Sequence, residues 1–430
     1  MTPQNPFFVG ATVPGRFFVG RQTEIARAFD QINNRSHLAL YGSSGMGKSS
    51  LLQALATPQL WQDRGMDFTE AVIIFVNCRS IQPFRPDGLC REVLHQLRDS
   101  SAADADLKDT IDTALGDKIV GQDHLRRLVN KIADRNKFLL LLLDDYDAAL
   151  ETSEQYSEAD MVAFLFGVRN LAVHSGVVHF ASVVATSRRL NELGPKNTPS
   201  GSPWYNQYRF MALKPFAGRE VEELFGKMSA LRPLTAAQKD ALREVAGSNP
   251  ALLQAACYLL YEKLRDGSPF TAEEFARDLE TDTRQYYSGA WNFCSETEQM
   301  LLMLIALSRL DGRLSTKRSY DLGDVDIIFS QMDRELRDLE DRGLITRSRE
   351  DEREVFRFSS SLMEWWIVKE IENSTAADLE KRQKILLNIN RDQVEKIKTA
   401  LTQVWQHKDV IKSIVGYAGQ LARAFVAQAP

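Results

Sequence analysis

Apolar residues along the 430-residue chain are patterned in two ways that alternate. Short apolar runs at His37–Tyr41, Ala71–Asn77, Phe138–Leu143, Val177–Ala185 and Arg209–Leu213 predict buried strands. Between them the spacing is helical: over Arg21–Asn33 (through Ile25, Ala28, Phe29 and Ile32), over Lys48–Ala56, and near 87–99, 121–135 and 157–174. Strands alternating with helices predict an α/β fold with a mainly parallel five-stranded sheet covered on both faces. After Pro215 the strand-like runs stop. Arg219–Leu231, Thr235–Ala246, Pro250–Leu264 and Thr271–Tyr287 predict helices, with Thr235 and Thr271 as N-caps and Glu274 completing a capping box. A third pattern begins near 291: a helix over 295–308, a short one near 315–320, another over 325–342, then Gly343 and two strands, 344–348 and 355–358. Three helices followed by a β-ribbon predict a winged helix, closed by the helix Leu362–Ile371. Residues 376–430 read as a helical tail.

Composition narrows the class. Hydrophobic residues at 44% and charged residues at 26% fit a soluble globular protein. The longest aliphatic run, Leu139–Leu143, is too short to span a bilayer, and the N-terminus MTPQNPFFVG has no basic then apolar leader, so a cytoplasmic location is expected. Cys78, Cys90, Cys257 and Cys294 lie far apart, which predicts buried thiols and neither disulfides nor a zinc site. The net charge of −5 argues against bulk nucleic-acid coating.

The first strand runs into Gly42-Ser43-Ser44-Gly45-Met46-Gly47-Lys48-Ser49-Ser50, which contains G-x-x-x-x-G-K-[ST] between a strand and a helix. Glycines there let successive N–H groups converge on β- and γ-phosphates at a helix N-terminus, where the dipole favours anions. Lys48 adds a point charge, and Ser49 is suited to ligate Mg²⁺. A glycine turn that binds nothing is the bland alternative, and the strand and helix flanks argue against it. The run Leu139–Leu143 ends in Asp144-Asp145, at the sheet edge where ligands of open α/β sheets sit. Asp144 is then the outer ligand of Mg²⁺, and Asp145 orients or deprotonates a water; helix capping is the alternative. Val177–Ala185 leads into Thr186-Ser187-Arg188-Arg189. Spacing alone leaves open whether an arginine there reads the γ-phosphate or is solvated.

Together these residues resemble the STAND class of P-loop NTPases, AAA+-related ATPases that work as signalling switches. The resemblance covers residues 5–372. Phe18-Val19-Gly20-Arg21-Gln22-Thr23-Glu24 is similar to the class's G-R-E-x-E signature, with Gln22 in place of the first Glu. Asp144-Asp145 is similar to its acidic pair, Thr186-Ser187-Arg188 to its T-[ST]-R sensor, and Gly247-Ser248-Asn249-Pro250 to the proline element of its helical lid. The resemblance implies a P-loop NTPase domain (1–215), a helical lid (216–288), a winged helix (289–375) and a C-terminal tail (376–430). It implies ATP or ADP with Mg²⁺, held by Gly42–Ser50; Lys48, Asp144, Asp145 and Arg188 would be catalytic, and Ser49 with Asp144 would hold the metal. Phe18, Val19, Arg21 and Pro250 would border the adenine, although Pro250 also suits the first position of its helix. Pro250-Ala-Leu-Leu-Gln lacks the lid arginine of many AAA+ proteins, which favours STAND over initiators. Some members hold ADP phosphate with a histidine late in the winged helix; Phe358–Trp366 has none.

The function implied is a slow, regulatory ATPase, a switch controlling partner binding or self-assembly in signalling or defence. Its expected partners are ATP, a separate effector or sensor protein and, with nucleotide, further copies of the chain, because neither end has room for an effector domain or sensor array. Arg169 and Arg189 are candidates to act in trans. The alternative is a DNA-associated AAA+ ATPase of the initiator or transposition-regulator type; a scaffold that binds nucleotide without hydrolysis is a third reading. Residues 289–375 carry twelve Lys and Arg against eighteen Asp and Glu, a net of −6, so DNA contact is disfavoured. The basic cluster Arg347, Arg349, Arg353 and Arg357 is its one sequence argument.

Overall fold

The computed structural model describes residues 4–100, 104–173, 179–195, 202–267, 270–310, 325–350 and 353–375. They divide into a sheet unit, Ala11–Ser43 with Gly47–Leu213, and a helical unit comprising residues up to Gly10, Ser44–Met46 and Lys214 onward.

In the sheet unit the order is α1 (Gln22–Asn33), β1 (His37–Tyr41), α2 (Lys48–Leu55), α3 (Pro58–Asp63), β2 (Ala71–Asn77), α4 (Pro86–Asp99), α5 (Ala105–Gly116), α6 (Gln122–Ala133), β3 (Phe138–Asp144), α7 (Glu158–Val173), β4 (Phe180–Thr186) and β5 (Tyr208–Ala212). The five strands are all parallel, in the order β2-β3-β4-β1-β5. Every residue of β3 and β4 is buried, as unbroken apolar runs require when both faces are covered. The predicted strands all form; β4 starts at Phe180, after a turn at His179, and Val177 and Val178 of the expected strand lie outside the described residues. The spacing did not predict α3 and α5. Short α3 exists to bury Trp61, which donates to Leu55 O at 2.7 Å and meets Phe29 and Phe68 edge-on. In α5 only Leu107 and Ile111 are buried, too narrow a stripe to stand out.

The helical unit has α8 (Gly218–Gly226), α9 (Ala236–Ala246), α10 (Pro250–Arg265), α11 (Ala272–Asn292), α12 (Glu296–Leu310), α13 (Val325–Gln331), α14 (Asp333–Asp341), the antiparallel pair β6 (Ile345–Glu350) and β7 (Arg353–Phe358), and α15 (Ser361–Asn373). Thr235 and Thr271 cap α9 and α11 as expected. Helix α11 runs five residues past Tyr287, bringing buried Trp291 against Trp366 at 5.8 Å. The helix expected over 325–342 breaks at Met332. Ile328, Phe329, Leu336 and Leu339 are buried across the break, so the apolar stripe reads as one helix although the backbone does not. The short helix near 315–320 and the tail 376–430 lie outside the described residues. All four cysteines are buried, and none is in a disulfide among the described residues. Among the described residues no helix is long and apolar enough to cross a membrane.

Candidate functional site

Strand order assembles the site. β4 lies between β1 and β3, and the registers Tyr41–Thr186 and Asn77–Asp144 bring the carboxyl ends of four strands to one edge. The phosphate loop leaves β1 there, Asp144 ends β3, Thr186 ends β4 and Asn77 ends β2.

Gly42 has no room for a side chain, because a Cβ would lie 2.7 Å from Leu213 O. Gly47 caps α2 with φ of 86°, a conformation that favours glycine. No side chain caps α2, so its anion-attracting end is left to a ligand. Lys48 Nζ donates to Gly42 O at 2.7 Å and Ser43 O at 3.2 Å. Burial pulls the Lys48 pKa below the usual lysine range; Asp147, Asp144 and Asp145, in that order, oppose the shift.

Asp144 is 3% exposed, and its Oδ1 has no partner among the described residues. Burial raises its pKa, and a hydrogen bond from Ser49 is the main opposing effect. A buried oxygen with an open lone pair beside a serine hydroxyl fits a small hard cation. Among the described residues no cluster of three or more His, Cys, Asp or Glu offers another metal site. Asp145 sits at φ 47° and accepts from Asn77 Nδ2 at 3.1 Å.

Arg188 is half-buried just beyond β4. Beside it Ser187 N lies 3.1 Å from each carboxylate oxygen of Asp147, and Ser187 Oγ donates to Asp147 Oδ1. The sequence reading overlooked Asn77 and Asp147; both are polar residues at element ends, which read as ordinary turn formers. Arg189 Nε donates to Tyr41 OH at 2.8 Å, and Arg169 donates to Ser202 O at 2.7 Å, so both arginines considered for a role in trans are engaged within the chain.

The expected adenine-bordering residues fall in both units. In the sheet unit Val19 is buried, Phe18 is half-buried, and Arg21 is 2% exposed and paired with Glu24 at 3.1 Å. Glu24, the second acid of the signature, therefore has a structural partner where Gln22 replaces the first. In the helical unit Pro250 opens α10, behind Asn249, whose side chain accepts from Ala251 and Leu252 N.

Residues 18–173 match the family described as AAA ATPase domain. No curated protein sequence matches the chain. Among solved structures, a Walker-type ATPase of Pyrococcus abyssi is similar at a TM-score of 0.52 and 15% identity, covering 84% of this chain and 99% of that one. The ORC2 protein of Aeropyrum pernix, in its ADPNP-ADP complexes, aligns at 0.46 and 15% identity, covering 81% and 93%. Domain III of the Thermotoga maritima replication initiation protein DnaA aligns at 0.38 and 15% identity, covering 64% and 98%. The family match, on the segment that holds the phosphate loop and the acidic pair, makes residues 18–173 an AAA-type ATPase domain, and the activity is hydrolysis of ATP.

Proposed function

We propose that the chain is a STAND-type switch in which ATP binding and hydrolysis at the Gly42–Ser49 loop control partner binding or self-assembly. The observation that supports the chemistry best is the convergence of Lys48, Ser49, Asp144 and Asp145 at one sheet edge, with Asp144 Oδ1 buried and unpartnered among the described residues. The switch half of the reading rests on the sequence signatures at Phe18–Glu24, Thr186–Arg188 and Gly247–Pro250.

In this reading the loop's backbone N–H groups hold the phosphates, and Lys48 gives up its carbonyl acceptors to meet phosphate oxygens. Ser49 and Asp144 would hold Mg²⁺, which when bound neutralises charge on the phosphate oxygens. Asp145 orients the attacking water and accepts its proton, and Asn77 fixes which carboxylate oxygen faces that water. Arg188 stabilises charge on the γ-phosphate. Phe18, Val19, Arg21 and Pro250 serve the nucleotide base.

We read residues 289–375 as a winged helix used for packing within the switch. Its basic cluster is largely neutralised: Arg347 lies 2.9 Å from Asp333, 3.5 Å from Glu340 and 3.4 Å from Glu354, and Arg357 pairs with Glu350 at 2.5 Å. Salt-sensitive binding of duplex DNA at near-physiological ionic strength would instead support the DNA-associated reading.

The test compares wild type with Lys48→Ala and Asp145→Ala for ATP binding, hydrolysis, and assembly or partner co-purification in ATP and ADP. Lys48→Ala is expected to lower turnover about a hundredfold or more. Asp145→Ala should keep ATP binding, lose hydrolysis and hold the ATP-state assembly. Assembly that ignores both nucleotide and variants would overturn the switch.

A further inference from the structure

We propose that Asp147 is a positioning residue for hydrolysis, locking the turn after β4 so that Arg188 is delivered in one orientation. The inference rests on the ATPase reading above and on Arg188 as the arginine that meets the γ-phosphate. Asp147 lies outside every motif that the sequence offers. It sits in the short 3₁₀ segment Tyr146–Leu150 directly after the acidic pair, and it is 7% exposed.

Two observations carry the argument. First, Asp147 gives both carboxylate oxygens to one neighbour, each 3.1 Å from Ser187 N, and Oδ1 also accepts from Ser187 Oγ. Hydrogen bonds to an ionised acceptor are the stronger kind. Second, the residues flanking Arg188 are tied to other elements. Thr186 Oγ1 lies 2.7 Å from Arg188 O and 3.3 Å from Leu40 O on β1, and Arg189 Nε reaches Tyr41 OH. A turn fixed on both sides of one arginine holds that residue's backbone in place.

The experiment uses the full chain, with ATP as the probe, and measures kcat, ATP affinity and the unfolding midpoint. The variants are Asp147→Ala, Asp147→Asn, Ser187→Ala, Arg188→Ala and the pair Asp147→Ala with Arg188→Ala. Loss of orientation in Asp147→Ala is expected to lower kcat about tenfold to a hundredfold, with ATP affinity unchanged or slightly tighter. Asp147→Asn, which still offers Ser187 an acceptor, should recover part of that loss. In the Arg188→Ala background, Asp147→Ala should lower kcat no further. If Asp147→Ala does not fold, Asp147→Asn and Ser187→Ala carry the same comparison. Multiplicative losses in the double variant, or a kcat that only tracks the folded fraction, would overturn the proposal. So would a silent Arg188→Ala beside an impaired Asp147→Ala, which leaves the ATPase reading standing. Turnover that survives Lys48→Ala sinks the ATPase reading itself.

Discussion

Charge is handled differently in the packing of the helical unit and at the edge of the parallel sheet. In the helical unit charged side chains find protein partners: Arg342 meets Glu298, Arg309 meets Glu364 at 2.9 Å, and Lys369 meets Glu280. At the edge of the parallel sheet Asp144 Oδ1 and Ser43 Oγ are buried without partners among the described residues, and Lys48 rests on carbonyls. Satisfied charges hold a structure together; buried groups left with open bonding capacity mark where a ligand completes the structure. Fold stability and turnover should therefore respond to different residues.

The largest stability effect is expected at Glu298. It is buried, accepts from Ser295 N at 2.7 Å and pairs with the largely buried Arg342. Glu298→Ala should destabilise the fold by roughly 3–5 kcal/mol, read by denaturant unfolding, with ATP turnover per folded molecule unchanged. Lost turnover at intact stability would break the comparison.

His37 comes next. Burial holds its pKa down at about 4 from an ordinary 6.5, and its Nδ1 lies 2.8 Å from Ser182 Oγ. A depressed folded-state pKa means the unfolded chain takes up the proton first. Stability is then full above pH 6.5 and falls as pH drops towards about 4, by at most roughly 3 kcal/mol. His37→Gln should flatten unfolding free energy across that window; an unchanged slope would remove His37 as its source.

A smaller effect with the opposite sign is expected at Asp144. Asp144→Asn removes a buried carboxylate that the described residues do not fully satisfy, and should raise nucleotide-free stability by about 1 kcal/mol while abolishing Mg²⁺-dependent hydrolysis. A fall in stability would mean that Asp144 serves the fold. The smallest effect belongs to Arg357→Ala, whose pair with Glu350 is half exposed; it should change stability by less than about 1 kcal/mol.

Much of the sheet was legible because burial on both faces forces unbroken apolar runs, as in Phe138–Leu143. The phosphate loop was legible because glycine is the residue that fits where Leu213 O approaches Gly42, and where φ turns positive at Gly47. What stayed hidden depends on register or long-range packing. Asn77 reaches Asp145 only because β2 pairs with β3 so that Asn77 lies level with Asp144. Asp147 matters through Ser187, forty positions along the chain. The break at Met332 leaves the buried stripe intact, so periodicity could not see it.

The insertion of β4 between β1 and β3 has a mechanical consequence. The strand feeding the phosphate loop and the strand ending in Asp144 stand two ladder spacings apart, about 9–10 Å. That span is a lattice constant of the sheet, insulated from changes in the surrounding loops and helices. Altering it means breaking backbone hydrogen bonds along β4, so the gauge between the root of the phosphate loop and Asp144 stays fixed while the residues beyond the strand ends are free to move.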